Sequence, residues 1–340
     1  MGYIVEPFSL DYLESALALF VAGYRRERDI NPLLPARVVT EPGWISAILK
    51  LLAYNPGVII RDQNRLLAYM LTGYKFRFKG QNAVQVPVYC HAAVPDEKPE
   101  LYQKMYMYLA DNWAGNGCHL HIIGHLAHDT ELQETLFQLG FGAILAERIR
   151  DFSLVDETGA FEITEDSDYT NLIELQIQHM KYYPNSPIFI KKDSSRNAVI
   201  TDLKSNAESG DVFLVYYEGN EPGAFFIVGE SVQFGEGFLL QKTNSAQVKG
   251  AYVKPHLRSK GIGQVLLQKA VDWSKNKGYE RIFVEHETAN YYGGNFWSKY
   301  FTPYMYFSLR YIDNTLYTKN NAAGLSRLHA HSHESWSQES

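Results

Sequence analysis

Two cysteines among 340 residues, Cys90 and Cys118, are too few for a disulfide scaffold and are not spaced as metal ligands. No apolar run approaches the roughly 20 residues that a membrane-crossing helix needs. The start, Met1-Gly2-Tyr3-Ile4-Val5-Glu6-Pro7, lacks the basic head and apolar segment of a secretory signal. No strong charge of either sign is present. A net charge of −6 argues against nucleic acid as the main partner and mildly favours a cationic substrate. The Gly-x-Ser-x-Gly turn of hydrolases, the third glycine of a dinucleotide turn and the Gly-Lys-Ser/Thr of a P-loop are all missing. The expectation is a protein of the reducing cytoplasm, without membrane, nucleic acid, metal or Ser-His-Asp nucleophile.

What is present suffices for a large core. Hydrophobic residues make up 46% of the chain and charged residues 21%. The length predicts two domains of about 150 residues each. Leu13, Leu17, Phe20, Val21 and Tyr24 mark a helix after Phe8-Ser9-Leu10-Asp11, and Trp44 to Tyr54 a second one. Val58-Ile59-Ile60 and Leu66 to Thr72 read as a hairpin, Val84 to Val94 as a further strand. Pro99 to Trp113 is a helix, His119 to Ile123 a strand, Thr130 to Leu139 a helix, and Ala143 to Phe152 a closing strand.

After a polar joint at Val155 to Ala160 the same order begins again. Helices are expected over Ile163 to Lys181 and Ala198 to Asn206, and a hairpin over Val212 to Tyr217 and Ala224 to Glu230. Val58 then corresponds to Val212, and Phe141 to Phe301. The simplest account is two copies of one α/β unit: residues 1–154, then 160–317, with a disordered tail over 318–340.

The second copy holds the stretch with most chemistry. An apolar strand, Val248 to Val253, is ended by Pro255, which has no N–H to donate. Gly261 and Gly263 let the backbone turn sharply and approach a ligand closely. Ile262, Val265, Leu266, Lys269, Ala270 and Trp273 then recur at helical spacing, so Gly261 to Lys277 reads as a helix with one buried stripe. Unpaired amides at its start, with Arg258 and Lys260 beside them, would attract a pyrophosphate.

Arg258-x-x-Gly261-x-Gly263 after such a strand resembles the acyl-CoA loop of the GNAT acetyltransferase superfamily. Val284-Glu285-His286-Glu287-Thr288-Ala289-Asn290 and then Phe296-Trp297-Ser298-Lys299-Tyr300-Phe301 resemble that family's next strand, its CoA-contacting Asn and the helix after it. The resemblance implies two tandem domains, α/β (α+β) in class, each a mixed, mostly antiparallel sheet flanked by helices. It implies acetyl-CoA as co-substrate, an amine acceptor that is a small molecule or a protein amine, and no resident metal. An oligomer stays open.

Residue by residue, it implies that Ser259, Lys260, Gly261, Ile262, Gly263 and Gln264 hold the pyrophosphate with Arg258. Val253, next to Tyr252, would turn an N–H to the thioester oxygen, and Asn290 would meet the pantetheine arm. Glu287, at a strand end with Glu285 on the same face, is the candidate base, since an alkylamine has a pKa near ~10. Where many relatives carry an acidic Tyr stands Trp297; Tyr291, Tyr292, Tyr300 and above all Tyr304 are the substitutes. The first copy has Val94-Pro95-Asp96-Glu97-Lys98-Pro99 in place of the glycine turn, and its carboxylates would repel a pyrophosphate. It is expected to be scaffold. His119, His121, His125 and His128 lack a completing ligand and are expected to pack, and His329, His331 and His333 lie in the tail.

Overall fold

The computed structural model describes residues 2–156, 159–166, 168–231, 239–240 and 243–316. The expected tail, with its three histidines, lies outside them. Along the first half run β1 (Ile4–Pro7), α1 (Leu13–Ile30), α2 (Arg37–Thr40), α3 (Gly43–Leu52), β2 (Gly57–Asp62), β3 (Arg65–Leu71), β4 (Tyr74–Phe78) and β5 (Gln81–Val86), then β6 (His91–Ala93), α4 (Lys98–Gly115), β7 (Leu120–Leu126), α5 (Thr130–Gln138) and β8 (Gly142–Arg150). The second half repeats the pattern. It runs β9 (Thr164–Asp166), α6 (Ile173–Tyr182), α7 (Arg196–Glu208), β10 (Val212–Glu218), β11 (Glu221–Glu230), β12 (Ser245–Val253), α8 (Ile262–Asn276), β13 (Arg281–Glu287), α9 (Tyr291–Tyr300) and β14 (Thr302–Tyr311).

Two expectations change. The strand over Val84 to Val94 is broken, because Pro87 introduces a 3₁₀ turn at Val88–Cys90 and only His91–Ala93 continues as β6. The helix over Ile163 to Lys181 starts late. Thr164 pairs with Val215 as an edge strand, and Asp168 caps a 3₁₀ turn at Tyr169–Leu172 before α6 begins.

Strands β1-β2-β3-β6 form one antiparallel sheet. The others form a ten-stranded sheet in the order β4-β5-β7-β14-β8-β13-β12-β11-β10-β9. Only β5 with β7 and β12 with β13 are parallel in it. At its centre each half's last strand closes the other half's sheet: β14 lies between β7 and β8, and β8 between β14 and β13. Read outward from the β8–β14 pair, β7, β5 and β4 follow on one side and β13, β12, β11, β10 and β9 on the other, and the first two strands on each side form the parallel pair. Phe283, Tyr304, Met305 and Phe307 accordingly share one apolar core with Leu120, Ile122 and Ile123.

The second half has a core on each face of its sheet. Leu266, Leu267, Ala270 and Val271 of α8 pack with Leu214, Phe226, Val228 and Ile282; of the stripe read from the sequence Ile262, Val265, Leu266 and Ala270 are buried, Trp273 is half-buried and Lys269 is exposed. Leu172, Leu175, Val199 and Leu203 cover the opposite face through Phe213, Val215, Phe225 and Tyr252.

Candidate active site

A cleft of about 390 Å³ opens where β12 and β13 part. Their parallel pairing runs from Ser245↔Arg281 to Val248↔Val284 and stops there, although both strands continue. The cause lies on the other edge of β12. Lys249 is an extra residue between the pairs Ile227↔Gly250 and Val228↔Val248, and such a bulge bends its strand. The bulge is pinned by Lys249 Nζ, which donates to both carboxylate oxygens of buried Asp211 at 2.7 and 2.9 Å.

Beyond the bulge the edge of β12 that faced β13 has no strand partner. Lys254 N–H donates to Gly223 O at 3.0 Å on the β11 side. The strand's alternation therefore aims the amide and carbonyl of Val253 the other way, into the cleft. Its carbonyl accepts Arg258 Nε at 3.1 Å. Three tyrosine rings surround that guanidinium, with centroids at 4.7 Å (Tyr292), 5.0 Å (Tyr182) and 5.7 Å (Tyr252).

The turn between them has the backbone the glycines predicted. Gly261 has φ +97° and precedes the first residue of α8. The first bonds of the helix are from the Gln264 and Val265 amides to Gly261 O, so the amides before them have no partner within the helix. At Gly263 a Cβ would stand 3.2 Å from Phe296 Cε2, so a side chain there would require the Phe296 ring to give by a few tenths of an ångström. Ser259, Gly261, Ile262, Gly263 and Gln264 all line the cleft. Ile262 is buried and offers only backbone, and Gln264 Nε2 donates to Asp156 O at 2.7 Å. Lys260 is exposed and is not among the lining residues.

On the opposite wall Asn290 caps α9, its Oδ1 accepting Gly293 N–H at 3.1 Å and Tyr182 O–H at 3.1 Å. Trp297 lines the cleft among Phe226, Phe296 and Phe301. Glu285 and Glu287 stand at the far end. Lys192 Nζ lies 3.4 Å from Glu287 Oε1 and 4.9 Å from the centre of the Tyr183 ring. Burial, and then the charges of Glu287 and Glu285, push the Tyr183 hydroxyl well above its usual range. His286, held at about 4 by burial, accepts Arg148 Nε–H from β8 at Nε2, which leaves Nδ1–H to donate to Glu287 O at 3.1 Å.

Tyr304 is not brought to the cleft. It is fully buried in the seam between the halves, donating its hydroxyl to buried Glu147 of β8. Its neighbourhood depends on the exchanged strands, which a local reading cannot foresee. Of the other tyrosines, Tyr292 and Tyr300 line the cleft and Tyr291 does not. The sequence reading missed His179, which stacks on Tyr252 at 5.3 Å and is kept neutral, at about 3, by burial and by Lys192 and Arg258. A polar residue in the buried stripe Leu172, Leu175, Gln176 was the available signal.

In the first half the matching place is filled. Lys98, the first residue of α4, reaches Asp129 Oδ1 at 2.8 Å. Asp129 caps α5 as Asn290 caps α9. His91 bonds to Tyr102 O–H and Gly124 O at 2.7 Å each, and the remaining hollow is about 40 Å³. Three of the four histidines named from the sequence are also engaged, His121 with Tyr106 Oη and Cys118 O, His125 with Ser308 Oγ and His128 with Glu27, whereas the buried Nδ1 of His119 has no hydrogen-bond partner among the described residues.

Residues 178–301, which span this cleft, match the family model described as the acetyltransferase (GNAT) family. No curated protein sequence matches the chain. A solved GCN5-related N-acetyltransferase from Sphaerobacter thermophilus is similar over 91% of this chain and 95% of its own, at 12% identity and a TM-score of 0.54. A GNAT-family acetyltransferase from Colwellia psychrerythraea is similar over 91% and 100%, at 10% identity and a TM-score of 0.46. A tandem GNAT protein from the clavulanic acid biosynthesis pathway is similar over 91% and 98%, at 9% and 0.44. The matched segment holds both the parted strands and the glycine turn: residues 178–301 of this chain match the acetyltransferase (GNAT) family model.

Proposed function

We propose that residues 160–317 bind acetyl-CoA and transfer its acetyl group to a primary amine, and that residues 1–154 form a companion domain that does not bind the co-substrate. The parting of β12 and β13 beyond Val248 and Val284 carries this reading, because it frees a backbone amide between an anion-binding turn and a carboxylate. Amides from Ser259 to Gln264 hold the pyrophosphate, with the Arg258 terminal nitrogens beside them and Lys260 adding charge from outside. The Asn290 Nδ2 amide meets the pantetheine arm, Tyr252 and Trp297 form its walls, and Val253 N–H polarises the thioester oxygen. The filled corner of Lys98, Asp129 and His91 supports a non-binding first domain.

Glu287, directly or through water, takes a proton from the acceptor ammonium. The neutral nitrogen then forms the bond to the acetyl carbon, the C–S bond breaks, and the second proton that the nitrogen sheds passes through Tyr292, Tyr300 or water to the leaving thiolate. A thiol-release assay with acetyl-CoA over a panel of amines tests this, and release that follows one amine supports it. A second reading, a non-catalytic acyl-CoA sensor, is favoured by the placement of Trp297 and by the engaged hydroxyl of Tyr304. Tight CoA binding with no amine-dependent thiol release would decide for the sensor.

A further inference from the structure

The cleft end at Glu287 already holds an alkylammonium group, and it belongs to the chain itself. Lys192 lies between α6 and α7. Its Nζ stands 3.4 Å from Glu287 Oε1 and over the face of Tyr183 at 4.9 Å. A carboxylate on one side and an aromatic face on the other is the arrangement that recognises an ammonium head. The two partners differ in exposure. The Glu287 side chain is 11% exposed and fixed at the end of β13, whereas Lys192 is 41% exposed on a loop. Glu285, on the same face of β13, adds a second negative group, and its charge reaches Tyr183 as that of Glu287 does. The corner is built into the end of a strand, and its present occupant is the more exposed partner.

We propose that Glu287 and the Tyr183 ring form the acceptor's ammonium subsite, that the acceptor is a compound with an unhindered alkylammonium head, and that Lys192 fills this subsite as an internal surrogate that the acceptor displaces. The proposal rests on the reading of this cleft end as the acceptor end. Lys192 then sets acceptor affinity by competition. Removing it leaves the subsite empty, and the gain is limited to what a partly exposed ion pair contributes.

The experiment titrates n-butylammonium into the full chain saturated with CoA, where no acetyl group is available for turnover. Lys192→Met is expected to bind butylammonium about two- to five-fold more tightly than the wild type. Glu287→Gln and Tyr183→Leu should bind it more weakly, and Tyr183→Phe, which keeps the ring, should bind it as the wild type does. Thermal unfolding of each variant confirms that it is folded. Unchanged or weaker binding by Lys192→Met overturns the proposal, as does binding indifferent to both Glu287→Gln and Tyr183→Leu. If CoA itself fails to bind, the acyl-CoA reading falls, and the same comparison without CoA still decides the role of Lys192.

Discussion

Gly261 offers a sharp test because its requirement is conformational. At φ +97° and ψ −12° the residue precedes α8 and orients the amides of the turn. A side chain with a Cβ pays about 1–3 kcal/mol to stay there, and a β-branched one lies at the upper end because such residues are rare at positive φ. The strain has two outlets. If the turn keeps its shape, the folded state is destabilised, and the melting temperature falls by about 1–2 °C per kcal/mol for a chain of this length. If the turn relaxes in the free protein, CoA must restore it, and the dissociation constant rises about 5- to 150-fold. Gly261→Val, followed by calorimetric titration with CoA and by thermal unfolding, should show the cost in one readout or shared between both. A variant with unaltered CoA affinity and an unaltered melting temperature would refute the assignment of the turn.

Other outcomes follow from the same geometry. Glu287→Gln should lower turnover at neutral pH by about 10²–10⁴-fold, and the deficit should shrink towards the amine's own pKa; a pH-independent deficit removes Glu287 as base. Tyr304→Phe deletes the hydroxyl that donates to buried Glu147, so it should cost about 1–3 kcal/mol of stability in chemical denaturation and leave CoA affinity unchanged. Burial holds His179 at about 3 and His121, His125 and His286 at about 4. The unfolded chain therefore binds more protons as pH falls from ~6.5 towards these values, and stability present above ~6.5 drains away on acidification. Denaturant melts between pH 7 and 4 (a range of about 3 units) should show that loss, and a flat profile would contradict it.

Local pattern carried much of this architecture. Arg281–Glu287 was legible as a strand because its apolar run is short and bounded, and α8 because its stripe has one period. The turn was readable at Gly261, whose positive φ suits its residue type, but not at Ser259, which stands at φ +61°. What escaped depends on partners far along the chain. Thr164–Asp166 is a strand only because β10 has a free edge beside it. Tyr304 could not be distinguished among 24 tyrosines, since Glu147 reaches it only through the exchanged strands. His179 and Tyr183 come to the cleft from α6 and its C-terminal end, Lys192 meets Glu287 from the loop after them, and no motif announces any of the three.

The crossing of β8 and β14 also dictates when the protein can be finished during synthesis. A nascent chain that has delivered its first 154 residues holds β7 with one flank open, because the strand that fits there is Thr302–Tyr311. That flank stays a vacant docking edge, open to a wrong strand, until Thr302–Tyr311 has been made. Neither half is therefore expected to stand as a self-sufficient piece, since the half without the glycine turn supplies the strand beside Glu287.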